Sequence, residues 1–148
     1  CSQEQQVSNR FMAMPSARNR ILGMQAYKFG LKGFLHWGYN FYNSQFSLEV
    51  IDPYAVTDAR CAFPSGDAFS VYPCGDGCAE SLRAVVFHDG LQDLRALEML
   101  ESLAGRDAAL RTLEEGLSRP LSFTDYPHDA AWLWDARQRI HQALLEQA

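Results

Sequence analysis

The amino-acid sequence predicts an α/β fold in which two short parallel strands form the closing portion of a larger sheet or barrel, followed by a long helix and a helical C-terminal extension. Three observations lead there. Residues 33–37 and 69–72 are short apolar and aromatic runs without alternation, the pattern of strands covered on both faces. Helical periodicities bracket them, in the order helix, strand, long loop, strand and then three helices. Two such strands cannot stand alone, because each face needs cover and each edge needs a partner, so they are expected inside a larger sheet whose outside the final helices cover.

The first helix starts near Pro15, whose missing N–H suits a first helical turn, and ends at Gly30, which supplies a left-handed stop. Between them Ile21, Leu22, Ala26 and Phe29 repeat at helical spacing, giving a helix of about fifteen residues packed on one side. The strand at 33–37 runs into Gly38-Tyr39-Asn40-Phe41-Tyr42. Residues 43–67 have no sustained period and contain Pro53, Pro64 and Gly66, which predicts a long loop with one turn of helix. The strand at 69–72 is stopped by Pro73 and the Gly75-Asp76-Gly77 turn. Ser81 is placed to cap a long helix carrying Leu82, Val86, Leu94, Leu97 and Leu100, with Gly105 as its stop. Residues 106–115 form a shorter amphipathic helix with Leu110 and Leu113, ended by Gly116. After a connector at 117–128, Asp129 caps a last helix whose Trp132, Ala136, Ile140 and Leu144 make one apolar stripe.

Composition narrows the function classes. The 148 residues carry 13 Lys and Arg against 18 Asp and Glu, a net charge of −5, with no basic stretch; a nucleic-acid partner is not expected. Apolar residues make up 47% of the chain and aromatic ones 12%, enough to bury a core. No apolar run approaches the length of a membrane span, and no signal-peptide pattern is present. The chain starts at Cys1 rather than Met, which reads as a processed product or a fragment, with a lipid-modified Cys1-Ser2 terminus as the lesser alternative. Cys1, Cys61, Cys74 and Cys78 are too few for a disulfide framework. Cys74 and Cys78 are read as free thiols in preference to a small disulfide ring or, with Cys61, a zinc site, whose three-residue spacer would be unusual. A nucleophile elbow, a phosphate loop and a dinucleotide fingerprint are all missing, so no cofactor is expected. The compartment is left open.

Four local patterns carry a resemblance. Asn9-Arg10-Phe11 precedes Pro15 and a helix ending in Tyr27-Lys28-Phe29-Gly30. Gly33-Phe34-Leu35-His36-Trp37-Gly38-Tyr39-Asn40-Phe41-Tyr42 contains a Trp-Gly-x-Asn segment. Ser65-Gly66-Asp67-Ala68-Phe69-Ser70-Val71-Tyr72-Pro73 looks like a Gly-Asp-Gly and Tyr-Pro-Gly strand, with Ala68 and Cys74 in place of two glycines. Ser81-Leu82-Arg83 with Asp89-Gly90-Leu91-Gln92-Asp93-Leu94 is similar to a Ser-x-Arg, Asp-Gly-x-x-Asp helix. In this order the four resemble the C-terminal part of the catalytic domain of glycoside hydrolase family 123, which overlaps the bacterial domain of unknown function family 4091, over residues 1–103. The resemblance implies a (β/α)8-type barrel enzyme that removes terminal β-linked N-acetylgalactosamine. It places a glycosidase-like barrel portion at 1–104 and a helical extension at 105–148. In the family an Asp-Glu pair acts, the Asp positioning the substrate's acetamido group and the Glu serving as general acid and base. No Asp-Glu dipeptide occurs in this sequence. The catalytic pair is therefore expected upstream of Cys1, and no catalytic residue is assigned within the chain.

The expected contribution is to substrate binding. Active sites of such barrels lie at the C-terminal ends of the strands, which places Trp37, Tyr39 and Asn40 there, with Trp37 as an aromatic wall for the sugar and Asn40 as its polar partner. Core packing of Trp37 is the competing reading. Arg10 could orient a carboxylate or hydroxyl at the same rim, or tie a loop down; Asp67 could accept from a sugar, or cap a turn. Arg83, Asp89 and Asp93 are expected to make structural ion pairs that hold the long helix in place. His36 is read as a satisfied core histidine pointing away from Trp37. The partner class is thus a glycan or amino-sugar substrate, with self-association through the unpaired edges of the two strands. A non-catalytic carbohydrate-binding piece and a purely structural helical domain are the alternatives.

Overall fold

The structure, a computed structural model, describes residues 6–147; the reading of Cys1 as a processed or lipidated terminus falls outside the described residues. Four helices build the body: α1 (Ala17–Lys28), α2 (Leu82–Ala104), α3 (Arg106–Glu114) and α4 (Ala130–Leu145). The punctuation residues act as the sequence indicates. At the end of α1, Gly30 takes φ 63°, its N–H bonds the Tyr27 carbonyl, and the Leu31 N–H reaches back to Ala26, which is a Schellman ending. The Ser81 hydroxyl caps α2 by accepting from the Ala84 N–H, and Asp129 caps α4 by accepting from Trp132. Gly105 and Gly116, both with positive φ, stop α2 and follow α3.

One hydrophobic core joins all four helices. Ile21 and Met24 of α1, Leu97 and Leu100 of α2, Leu113 of α3, and Leu133, Ala136 and Ile140 of α4 are its buried centre, closed by Leu121 and Tyr126 from the connector. The α1 and α2 backbones touch where two glycines meet. A Cβ on Gly23 would lie 1.7 Å from the Gly90 carbonyl oxygen, and one on Gly90 would lie 2.6 Å from that of Arg20. Beside this crossing Asp93, fully buried, accepts from Arg20 of α1 at 2.7 and 3.1 Å and from Arg137 of α4. The expected ion pairing of α2 is therefore present at Asp93, but it ties α2 to two other helices and not to a barrel. The α1 face differs too: Ala17, Ile21, Met24 and Tyr27 are buried, while Phe29 is exposed.

The sheet is the main correction. The strands are not parallel: β1 (Val71–Cys74) and β2 (Gly77–Glu80) form an antiparallel hairpin with Val71 opposite Glu80 and Cys74 opposite Gly77. Pro73 does not end the first strand, and Gly75, at φ 53°, opens the two-residue turn. Residues 33–37 form no strand. Phe34 and Leu35 are exposed, and the isolated pairing of Asn40 with Phe69 lies beyond the segment. Phe34 and Trp37 meet other aromatic rings instead of sheet faces, while Leu35 stays in solvent, so the missing alternation marked a loop. Self-association through an edge at 33–37 loses its premise with that strand. Residues 43–67 do form a long loop, with one 3₁₀ turn at Gln45–Ser47.

Candidate functional site

Two adjoining clefts open where the segments 7–10 and 34–39 meet Asp67 and the first half of α2. The first, about 300 Å³, is lined by Asn9, Arg10, Phe34, His36, Trp37 and Asp67. The second, about 320 Å³, shares Arg10, Phe34 and His36 and adds Tyr39, Glu80 and Phe87.

Asp67 organises the first cleft. It sits in a turn closed by its own N–H to Pro64 and by the Gly66 N–H to Thr57, and Gly66 is left-handed with φ 84°. The absent side chain of Gly66 leaves room for the Arg83 guanidinium, which would lie 2.5 Å from a Cβ there. Arg83, in the first turn of α2, donates to the Gly66 carbonyl and, at 3.3 Å, to the Arg10 carbonyl. The turn and the 9–11 segment are thereby fixed to one helix end. Only 2% of Asp67 is exposed.

Two neighbours from one strip of backbone converge on Asp67. The indole N–H of Trp37 donates to Oδ2 at 3.1 Å, and His36 Nε2 lies 2.7 Å from the Asp67 carbonyl oxygen. A carbonyl only accepts, so Nε2 carries the proton. Burial, then the charge of Arg10, holds His36 below its ordinary pKa, and the ring is neutral at pH 7. The opposed orientation expected for His36 and Trp37 applies to strands; in this loop both side chains reach the same residue. His36 is satisfied as expected, yet it lines both clefts.

The strip is held down from behind. The Phe41 N–H bonds Ala68 and the Ser70 N–H bonds Tyr39, and a Cβ on Gly38 would come within 2.6 Å of the Ala68 carbonyl oxygen. Glycine at 38 is what allows this approach. Trp37 rests against Phe41 and Phe63, with centroids 5.4 and 4.7 Å away, and keeps 36% of its surface exposed. Phe63 follows three left-handed residues, Ala59, Arg60 and Cys61, an arrangement costly for side chains with a Cβ.

Of the residues singled out in the sequence, Arg10, Trp37 and Asp67 come together in the first cleft and Tyr39 lines the second. Asn40 is exposed and lines neither; its backbone pairs with Phe69. Phe34 and Phe87 were not anticipated. They adjoin each other and lie under the Arg10 guanidinium, 4.7 and 5.0 Å from it; Phe34 stood within the second motif, but nothing in the sequence joined it to Phe87. Burial draws Arg10 down to about 10, with Asp67 opposing, so it stays cationic at pH 7. Cys61, Cys74 and Cys78 are exposed free thiols, and among the described residues no three metal-ligating side chains cluster.

Residues 1–100 match glycoside hydrolase 123, catalytic domain. The chain belongs to this family. No curated protein matches it. The glycoside hydrolase 123 match contains every residue of the two clefts named above and ends within α2, leaving α3 and α4 beyond it. Chemically, the first cleft offers an aromatic face, indole and imidazole groups fixed in place, a cation, and among its described lining residues one carboxylate, whose Oδ2 accepts from Trp37. Glycosidic cleavage ordinarily uses two carboxyl groups, and among its described lining residues the first cleft holds one, engaged with an indole.

Proposed function

We propose that this chain supplies the sugar-facing wall of a glycoside hydrolase resembling β-N-acetylgalactosaminidases, with Trp37 as the platform for the apolar face of the ring. The observation that carries the reading is the Trp37 to Asp67 hydrogen bond: an indole fixed at its N–H while its ring stays partly exposed beside a cleft is built to be touched, whereas a core tryptophan would be covered. Tyr39 extends the aromatic surface into the second cleft. Asn40, exposed two residues after the glycine, offers an amide at the rim. Residues 1–104 carry the glycosidase-like part and 105–148 an extension packed on it. Since the 148 residues contain no Asp-Glu dipeptide, the catalytic pair comes from polypeptide outside them.

The test is hydrolysis of a chromogenic β-N-acetylgalactosaminide by the natural gene product carrying Trp37→Ala or Trp37→Phe, with folding checked by circular dichroism. A raised KM for the alanine variant, largely restored by phenylalanine, supports the platform; unchanged kinetics in a folded Trp37→Ala protein would sink it. A second reading is favoured by the single engaged carboxylate: a carbohydrate-binding piece without hydrolysis. Sugar binding by the natural product with no turnover decides for it.

A further inference from the structure

We infer that the cleft beside Trp37 contains an anion subsite, with Arg10 as its binding group, for a carboxylate or sulfate ester borne by the glycan. The inference rests on the reading of this cleft as glycan-facing.

Arg10 is 6% exposed, yet among the described residues its guanidinium has no hydrogen-bond acceptor. A guanidinium has five N–H donors, and a charge removed from water is costly unless it is paired. Other partly buried guanidinium groups find acceptors: Arg20 and Arg137 share the Asp93 carboxylate, and Arg83 donates to two carbonyls. Arg10 instead lies over the adjoining rings of Phe34 and Phe87, which attract a cation but accept no strong hydrogen bond. It lines both clefts, so its donors are open to a ligand in either.

The Asp67 carboxylate acts on Arg10 through its charge, but no neighbour among the described residues accepts a hydrogen bond from the guanidinium. Asp67 bonds Trp37 and not Arg10, His36 is neutral, and Arg83 adds a second positive charge nearby. A planar guanidinium with unused N–H donors suits an oxyanion with two oxygens to offer, and carboxylates and sulfates provide that geometry. A sugar hydroxyl could accept one bond but would not balance the charge.

The experiment measures binding to the chain, by calorimetry or by amide chemical shifts, of four probes: N-acetylgalactosamine, its sulfate ester, galacturonic acid and inorganic sulfate. The anionic sugars are expected to bind about ten- to a hundredfold more tightly than the neutral sugar, the range of a charge-assisted hydrogen bond. Arg10→Met should abolish that advantage and Arg10→Lys retain part of it. If Arg10→Met does not fold, the wild-type chain still decides: sodium chloride should weaken the anionic sugars and spare the neutral one. Equal binding of neutral and anionic sugars overturns the anion subsite and leaves the glycan reading intact. Binding of inorganic sulfate as tight as that of the sulfated sugar overturns the assignment to a glycan-borne group. Binding of no sugar overturns the glycan reading and this inference together.

Discussion

The indole N–H of Trp37 donates to the carboxylate of Asp67 across 30 residues of sequence, 3.1 Å apart, and so pins two loop segments that share no regular element. A charge-assisted bond in a buried setting contributes about 2 kcal/mol, and its loss leaves an indole donor without a partner. Asp67→Ala should lower stability by about that amount in urea unfolding, and Asp67→Asn, which keeps an acceptor, by less. The fluorescence of Trp37, isolated by replacing Trp132 and Trp134 with phenylalanine, should shift to the red in the alanine variant. An unchanged spectrum would show that Asp67 does not hold the ring.

The helices were legible in the sequence because their signals are local. Ser81, Asp129, Gly30 and Gly105 act on their own turns, and the Leu97 and Leu100 spacing reports one face of one helix. The strands were not, because an apolar run states that side chains find cover without stating which backbone pairs with which. Phe34 and Trp37 find partial cover from Phe87 and Phe63, far away in sequence, and from nearby Phe41, while Leu35 stays exposed. The hairpin was within reach: Gly75-Asp76 between two short runs is a two-residue turn signal, and reading Pro73 as a stop concealed it. In the site, the motifs located Arg10, Trp37 and Asp67 but not their arrangement, since His36 and Trp37 were assigned to opposite faces of a strand that does not form.

His36 gives the molecule a pH dependence of definite sign. Burial and Arg10 depress its folded pKa, with the Asp67 carbonyl and carboxylate opposing and Arg83 reinforcing. Between the lowered folded value and the unfolded one the unfolded chain holds more protons, so stability increases with pH across that window. The contribution is fully present above the unfolded pKa and is lost as pH falls through the folded one. Unfolding midpoints measured downward from pH 7 should decline below about 6.5, and His36→Gln should flatten that part of the curve. Parallel curves for the two proteins would assign the decline to other groups.

The crossing of α1 and α2 depends on glycine at 23. A Cβ 1.7 Å from the Gly90 carbonyl oxygen meets backbone, which cannot swing aside as a side chain can, so the helices must separate along their shared core. Gly23→Ala is expected to cost about 3 kcal/mol or more, despite the better helix propensity of alanine. Gly33→Ala is the control, because a Cβ there meets nothing within 4 Å and its φ is not positive. Thermal unfolding should show Gly23→Ala lowered by about 10 °C with the control nearly unchanged; equal effects would count against the close crossing.

Asp93 makes the strongest demand on its surroundings, because its carboxylate is fully buried and serves two guanidinium groups, Arg20 from α1 and Arg137 from α4. The pairing with Asp93 raises the pKa of Arg20, so that cation is firmly charged. Asp93→Asn removes the negative charge and leaves two cations close together, only partly open to water, and breaking a buried ion pair in this way costs about 3–5 kcal/mol. A different result is expected when the whole group is replaced. Asp93→Leu combined with Arg20→Met and Arg137→Leu removes the charges and their desolvation cost together, and should recover most of the stability lost by Asp93→Asn. Urea unfolding of the two variants separates the contributions. If the triple variant is as unstable as Asp93→Asn, the three charges contribute net attraction to the packing of α1, α2 and α4; if it recovers, the triad fixes which helices meet without adding to how tightly they hold.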